Sequence, residues 1–321
     1  MIVTASAPTR ISLFGGGTDL PAYATKYGGL VTSFAINLRQ HITLYTEKDI
    51  FAFNNGEAGP NQFPTNANPD FLYSILEDYG LNGMHKIKIK STCDIPLESG
   101  LGSSSAVAVA LISALNKVKN IHMTANEVAE KAFGYEEKMG WVTGKQDFYA
   151  SAFGGCNVMQ FTDKVVVTPL GRAFIEPLQQ SFVLMYIGPR DKKKPQDSMV
   201  EISSSQLKAL QDIKDFAYES LDAIGKANYI YLGKLLGVYW KKKKQSNLNV
   251  TNKKIDDIYE KAISARALGG KLLGAGSGGY MLFIVGPNDR DYFLREMAKE
   301  GLTETDFSFD FQGADARIVK E

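Results

Sequence analysis

Ile95-Pro-Leu-Glu-Ser-Gly-Leu-Gly-Ser-Ser-Ser-Ala106 joins two segments of opposite periodicity, and that junction decides how the chain is read. Upstream, His85-Lys-Ile-Lys-Ile-Lys90 alternates apolar and charged residues, the period of a half-buried strand. Downstream, Ala106 to Leu115 is small and apolar on every side, as expected of a helix buried all round. Between them stand Gly100 and Gly102, which let backbone come close to a ligand, and then Ser103, Ser104 and Ser105 at the expected first helical turn. A helix N-terminus presents free N–H groups with partial positive charge, which favours an anion such as phosphate. No lysine lies in the turn, so it is not a Walker A loop. On these residues alone, a Gly/Ser-rich loop that merely caps a core helix stands as the alternative.

The chain has 321 residues, enough for two domains sharing a substantial core. With 44% hydrophobic and 22% charged residues it is ordinary for a globular protein. A net charge of +1 gives no electrostatic case for nucleic acid or an anionic membrane as partner. Cys93 and Cys156 are too few for a disulfide framework. The first residues read as a strand rather than a signal sequence, and no apolar run reaches membrane-spanning length. These features together point to a cytoplasmic protein.

Outward from the junction, the pattern predicts strands at Ile2–Ala7 and Ile11–Phe14, separated by Pro8, then Gly15-Gly16-Gly17-Thr18-Asp19. Further strands are expected at Leu30–Ile36 and His41–Tyr45, a surface loop at Asn54–Asn66, and a helix opening at Pro69. Thr124-Ala-Asn-Glu127 has capping-box spacing, so a helix begins there. At ~100° per residue, Glu136 falls near the middle of that helix's apolar face and Glu137 at its edge. A carboxylate on such a stripe needs a cation or metal to offset desolvation, unless the helix ends first. After Gly144-Lys-Gln-Asp147, a strand at Phe182–Ile187 opens a second region. Long helices follow over Gln206–Gln245, broken near Gly225, with Lys241–Lys244 read as a solvated helix end. A helix at Ile255–Leu268 stops at Gly269-Gly270; Tyr280–Val285 is a strand, Arg290–Glu300 a helix, and Phe307, Phe309 and Phe311 suggest a last strand. The domain boundary falls between Thr168 and Gln180, giving units 1–172 and 173–321.

Several chemistries are excluded by context. Gly274-Ala-Gly276-Ser-Gly278-Gly279 satisfies the dinucleotide fingerprint, but that motif needs a strand before it and a helix after it, and here the order is reversed. His41, His85 and His122 are isolated, with no metal-ligand spacing. The G-x-S-x-G of a serine hydrolase is absent.

Three segments taken together resemble a known family. Ala7-Pro-Thr-Arg10-Ile-Ser-Leu-Phe-Gly-Gly-Gly-Thr-Asp19, then Pro96–Ala106, then Lys271–Gly279, are similar in order and content to the three motifs of the GHMP kinases. These include galactokinase, homoserine kinase, mevalonate kinase and phosphomevalonate kinase. Gly15–Leu20, Gly144–Asp147, Trp240-x-Lys-Lys and Lys271–Gly276 most resemble the branch acting on D-glycero-D-manno-heptose 7-phosphate. The resemblance implies an α+β fold: a ribosomal protein S5-like N-terminal domain with a left-handed βαβ crossover, a ferredoxin-like C-terminal domain, and a site in the cleft between them.

It also implies roles. Gly100, Leu101, Gly102, Ser103, Ser104 and Ser105 would wrap the ATP phosphates, Ser104 and Glu136 would hold Mg²⁺, and Asp147 would accept the proton of an anomeric hydroxyl. Arg10 would stabilise developing charge, and Gly16, Gly17, Thr18 and Asp19 would bind the sugar. Gly274 to Gly279, with Gly276, Ser277 and Gly278 foremost, would shape the site around the transferred group. A substrate phosphate wants cations, for which Arg190-Asp-Lys192-Lys193-Lys194 is one candidate, although lysine-rich loops are usually solvated and this one departs from the Gly-x-x-Arg pattern of relatives. The expected partners are ATP and a sugar phosphate, with the protein a monomer or homodimer. Alternatives are a different sugar 1-kinase such as a fucokinase, or a non-catalytic nucleotide sensor. The joint presence of Arg10, Ser104, Glu136 and Asp147 argues against the sensor, which needs only the phosphate loop.

Overall fold

The computed structural model describes residues 1–46, 69–81, 87–96, 99–190, 202–246 and 250–320. The loop expected at Asn54–Asn66, His85 and the lysines Lys192–Lys194 lie outside the described residues. Two sheets carry the fold.

The first is built on β1 (Ile2–Phe14) and β2 (Gly29–Thr46), which pair antiparallel along nearly their whole length, with α1 (Pro21–Tyr27) between them. Each is one continuous strand where the sequence predicts two. Pro8 does not break β1 because the register with β2 slips between Pro8 and Thr9, an irregularity that tolerates a missing donor. After α2 (Pro69–Asp78), β3 (Ile87–Cys93) pairs with the C-terminal half of β2, while β4 (Cys156–Phe161) pairs with its N-terminal half. Three helices connect β3 to β4: α3 (Ser103–Lys119), α4 (Ala125–Lys138) and α5 (Gln146–Phe153). Strand β5 (Val165–Pro169) forms one edge of this sheet. Helices α2 to α5 cover one face in a core that includes Val31, Leu44, Leu72, Leu111 and Phe148.

The second sheet follows α6 (Arg172–Gln179). It contains β6 (Phe182–Tyr186), then the helices α7 (Ser204–Gly225), α8 (Tyr229–Ser246) and α9 (Lys253–Ser264), then β7 (Ala267–Leu272) and β8 (Tyr280–Val285), in the order β6-β8-β7. Gly269 and Gly270, expected to stop a helix, instead lie inside β7. The reason is close packing: a Cβ on Gly269 would lie 2.0 Å from the Gly233 carbonyl oxygen, so α8 presses directly onto this strand. The Gly274–Gly279 loop therefore joins two strands as a hairpin, and a helix still does not follow it.

Helix α10 (Arg290–Lys299) packs on the same unit, and Glu304 then bridges Met185 on the open edge of β6, where a fourth strand of a ferredoxin-like sheet belongs. The phenylalanines at 307, 309 and 311 do not form the predicted strand. Phe307 and Phe309 plug the core between the sheets, with a single bridge from Phe309 to Ile36. The last strand, β9 (Asp315–Lys320), returns to pair with β1 in the first sheet. One hydrophobic core, with Ile11, Phe14 and Phe34 from the first sheet and Leu184, Leu236 and Leu282 from the second unit, joins the two halves. Among the described residues no helix is long and apolar enough to cross a membrane.

Candidate active site

Helix α3 starts at Ser103 after Gly102, whose φ of 74° only glycine adopts at little cost. Because the N-cap is glycine, no side chain caps the first-turn amides, which stay available to an anion. Ser104 is exposed at this end, while Ser103 and Ser105 are buried. The loop before α3 is pinned from both sides. The Arg10 amide donates to Leu101 O at 2.9 Å, and the Tyr280 amide donates to Ser99 O at 3.0 Å.

Arg10 is the hub. Its Nε donates to Asp147 Oδ1 at 2.6 Å and its Nη2 to Asp147 Oδ2 at 2.7 Å, a two-pronged ion pair, while Nη1 donates to Gly100 O at 2.7 Å. The Arg10 side chain is 5% exposed and that of Asp147 22%, so the carboxylate keeps one open edge. A Cβ on Gly102 would lie 3.2 Å from Asp147 Oδ2, so the Gly100–Ser105 loop passes directly over the pair.

Asp19 lies beside them, 2% exposed. It accepts from the Gly17 amide, the Gln146 amide and Gln146 Nε2 at 3.0–3.1 Å. Burial, followed by the like charge of Asp147, raises its pKa against those bonds. Among the described residues Gln146 Oε1 has no hydrogen-bond partner, and neither has the fully buried Tyr239 hydroxyl. Gly16 stands against Ser12 Oγ and Gln146 Nε2. Thr18, expected among the substrate ligands, is sealed from solvent, and its hydroxyl serves Gly15 O, Leu30 O and the Leu30 amide. Its place in the structure is to brace the glycine turn.

The Gly274–Gly279 hairpin closes the other wall. A Cβ on Gly274 would lie 2.6 Å from Gly100 Cα, and one on Gly279 2.2 Å from Ser99 O, so the two glycine loops interlock. Gly276 and Gly278 face Val250 and Pro189–Arg190, Ser277 takes a positive φ of 68°, and Arg190 Nε donates to Gly276 O at 3.0 Å.

Two cations in this site escaped the sequence reading. Lys271, 1% exposed, donates from Nζ to Ser12 O at 2.8 Å and Leu13 O at 3.2 Å, with Nζ 4.7 Å from the Tyr239 ring centroid. It bolts β7 to the end of β1. Lys243 breaks from the solvated run: Lys241 and Lys242 are exposed and Lys244 pairs with Asp256 at 2.8 Å, whereas Lys243 feels the charges of Arg10 and Asp19. The available signal was its position four residues after Tyr239, on one helix face.

Glu136, as the helical projection predicts, is buried at 3% exposure on α4. Burial, with the nearby charge of Asp147 adding to it, raises its pKa to about 7. Among the described residues no cluster of three or more His, Cys, Asp or Glu could cage a metal alone. Glu136 offers one buried carboxylate and Ser104 one exposed hydroxyl, and Mg²⁺ takes most of its ligands from water and phosphate, so it asks for few protein donors. The raised pKa has a consequence for stability. Between the ordinary glutamate value of 4.5 and about 7, the folded protein holds the proton more tightly than the unfolded chain, so stability falls as pH rises through that window. Glu136→Gln is expected to raise the melting temperature at pH 8 and leave it unchanged at pH 4. An equal melting temperature at both pH values would show the carboxylate to be compensated already.

Residues 70–155 match the family model for the GHMP kinases N-terminal domain, and residues 220–302 that for the GHMP kinases C-terminal domain. The chain is 30% identical to D-glycero-alpha-D-manno-heptose 7-phosphate kinase of Campylobacter jejuni, over 97% of each chain. It is 26% identical to L-fucokinase/L-fucose-1-P guanylyltransferase of Bacteroides fragilis over 88% of this chain but 34% of that protein. The crystal structure of a D-glycero-D-manno-heptose 1-phosphate kinase from Bacteroides thetaiotaomicron superposes with a TM-score of 0.76 at 26% identity, covering 99% of this chain and all of that one.

Proposed function

The chain belongs to the GHMP kinase family, and we propose that it transfers the γ-phosphoryl group of ATP to the anomeric hydroxyl of D-glycero-D-manno-heptose 7-phosphate. The product is the 1,7-bisphosphate, on the way to nucleotide-activated heptose for surface polysaccharide, made in the cytoplasm. The observation that carries this reading is the two-pronged pair of buried Arg10 with half-buried Asp147, set under an uncapped helix N-terminus.

Phosphoryl transfer asks for positioning and charge stabilisation more than for covalent chemistry. The amides of Gly100 to Ser105 wrap the ATP phosphates at the positive end of α3. Asp147, held in one orientation by Arg10, takes the anomeric proton through its open edge. The same guanidinium faces the negative charge that develops as the proton leaves. Asp19, Gln146 Oε1 and the Tyr239 hydroxyl offer polar atoms to the sugar's ring hydroxyls, which would satisfy the two orphaned groups. Gly16 and Gly17 bring backbone to the sugar, and Gly276, Ser277 and Gly278 shape the wall around the transferred group. Mg²⁺ bound between Ser104 and Glu136 would neutralise phosphate charge. The proposed units, 1–172 and 173–321, the latter sending its last strand β9 back to the first sheet, hold the reactants between them.

The test is ATP consumption across free and phosphorylated sugars, with phosphorus NMR of the product. Turnover of the heptose 7-phosphate with a second, anomeric phosphorus signal is expected. Consumption with fucose alone would install the fucokinase reading, which the 26% relative favours less than the full-length match to the heptose enzyme. No consumption with any sugar would leave a nucleotide-binding protein without catalysis.

A further inference from the structure

Gln146 is the polar residue of the site whose free hydrogen-bonding atom has a fixed direction. It opens α5 one position before Asp147, and both of its donors are spent on Asp19. Its backbone amide donates to Asp19 Oδ2 at 3.0 Å and its Nε2 to Asp19 Oδ1 at 3.1 Å. The Asp19 carboxylate is itself pinned, by the Gly17 amide at 3.0 Å and by the Gly144 backbone, where a Cβ would lie 1.9 Å from Oδ2. Turning the Gln146 amide over would set its oxygen against that carboxylate. Nε2 is therefore locked on the Asp19 side, and Oε1 is left facing away from it. Gly16 lies next to the amide without a side chain, since a Cβ there would be 3.5 Å from Nε2. Gln146 is 9% exposed, and Oε1 has no hydrogen-bond partner among the described residues. It is an acceptor stripped of water, and only an arriving donor makes good that loss.

We propose, resting on the sugar-kinase reading given above, that Gln146 is a specificity-determining residue whose Oε1 accepts from the hydroxyl on C2 of the sugar, the carbon next to the anomeric centre. Asp147 meets the anomeric hydroxyl, and Gln146 is its neighbour in the chain, so the group that Oε1 meets is one flanking the anomeric carbon. The two flanks differ in chemistry. The ring oxygen only accepts, whereas the C2 hydroxyl donates, so an acceptor locked in direction takes the hydroxyl and turns the ring oxygen to the opposite side. The Tyr239 hydroxyl, orphaned as well, sets no such direction, because a phenol both donates and accepts. A site built to bond a hydroxyl rejects the analogue that lacks it, because its own buried polar atom is then left unpaired.

The hydroxyl and the side chain are removed in turn in steady-state kinetics of the full chain. The acceptors are the heptose 7-phosphate and its 2-deoxy analogue, and the variant is Gln146→Met. Loss of the hydroxyl is expected to lower kcat/KM of the unaltered protein about 10- to 100-fold, the penalty of one buried acceptor left without a donor. Gln146→Met, which already lacks the acceptor, shows little further loss with the 2-deoxy sugar. Any change in the intrinsic reactivity of the anomeric hydroxyl affects both proteins alike and cancels in the ratio. A glutamine that merely braces Asp19 would lower turnover of both sugars by one factor and leave their ratio as in the unaltered protein, which overturns the assignment. So does an unaltered protein that uses the two sugars equally well, a comparison that needs no variant to fold. If the unaltered protein does not phosphorylate the heptose 7-phosphate at all, the sugar-phosphate reading itself fails, and that is seen before either comparison is made.

Discussion

Asp147→Asn lowers kcat by about 10²–10⁴-fold, the range that a positioned general base contributes. Asparagine keeps the shape of the side chain but cannot act as the proposed base, because a neutral amide does not take a proton from an alcohol. It also presents one N–H₂ group to a guanidinium that offers donors at Nε and Nη2, so one arm of the ion pair is lost. The third arm, from Arg10 Nη1 to Gly100 O, does not involve Asp147 and keeps the Gly100–Ser105 loop in place. ATP binding, followed with a fluorescent analogue, therefore survives while turnover collapses. The melting temperature falls too, because Arg10 is 4% exposed and its charge is left partly unpaired. Turnover close to that of the unaltered protein would remove Asp147 from proton transfer and leave it as an anchor for Arg10.

The parts of this site that were legible in the sequence are those fixed within a helical turn or two. The capping box at Thr124 starts α4, and counting from it at helical pitch places Glu136 inside, where it is found. Gly102 followed by three serines marks the start of α3 in the same way. The parts not legible depend on what lies across space. Gly269-Gly270 looks like a helix stop, because a glycine that ends a helix and a glycine that lets a helix lie on a strand are written with the same letter. Lys243 reads as one of four solvated lysines until α8 is docked against β1, which brings it within reach of the Arg10 and Asp19 charges. Thr18 belongs to the substrate loop by sequence, yet only the packing of Gly15 onto the Leu30 carbonyl shows that its hydroxyl is already committed. The dinucleotide fingerprint at Gly274 fails for a reason sequence could supply, the strand that follows it, although the element before it is a strand and not the predicted helix.

Gly274→Ala tests whether the interlocked glycine loops set the catalytic geometry, and Gly301→Ala supplies its control. Both glycines have φ of 74°, so an alanine at either position carries the same left-handed backbone cost of about 1–2 kcal/mol. They differ in what a Cβ would meet. At Gly301 nothing lies within 4 Å, whereas at Gly274 the Cβ would sit 2.6 Å from Gly100 Cα and 3.0 Å from Gly100 O. Those are backbone atoms, so no rotamer change relieves the overlap, and the two loops must separate. Gly100 O is also the acceptor for Arg10 Nη1, so its displacement reaches the Arg10–Asp147 pair directly. A shift on the order of 1 Å at a positioning element costs about 10²-fold in rate. The expected result is a small, similar loss of melting temperature from the backbone cost in both variants, a further loss in Gly274→Ala alone, and a fall in kcat/KM of about 10²-fold confined to Gly274→Ala. Equal activity in the two variants would mean that the hairpin can yield without moving the phosphate loop, and the site would then owe its geometry to Arg10 alone.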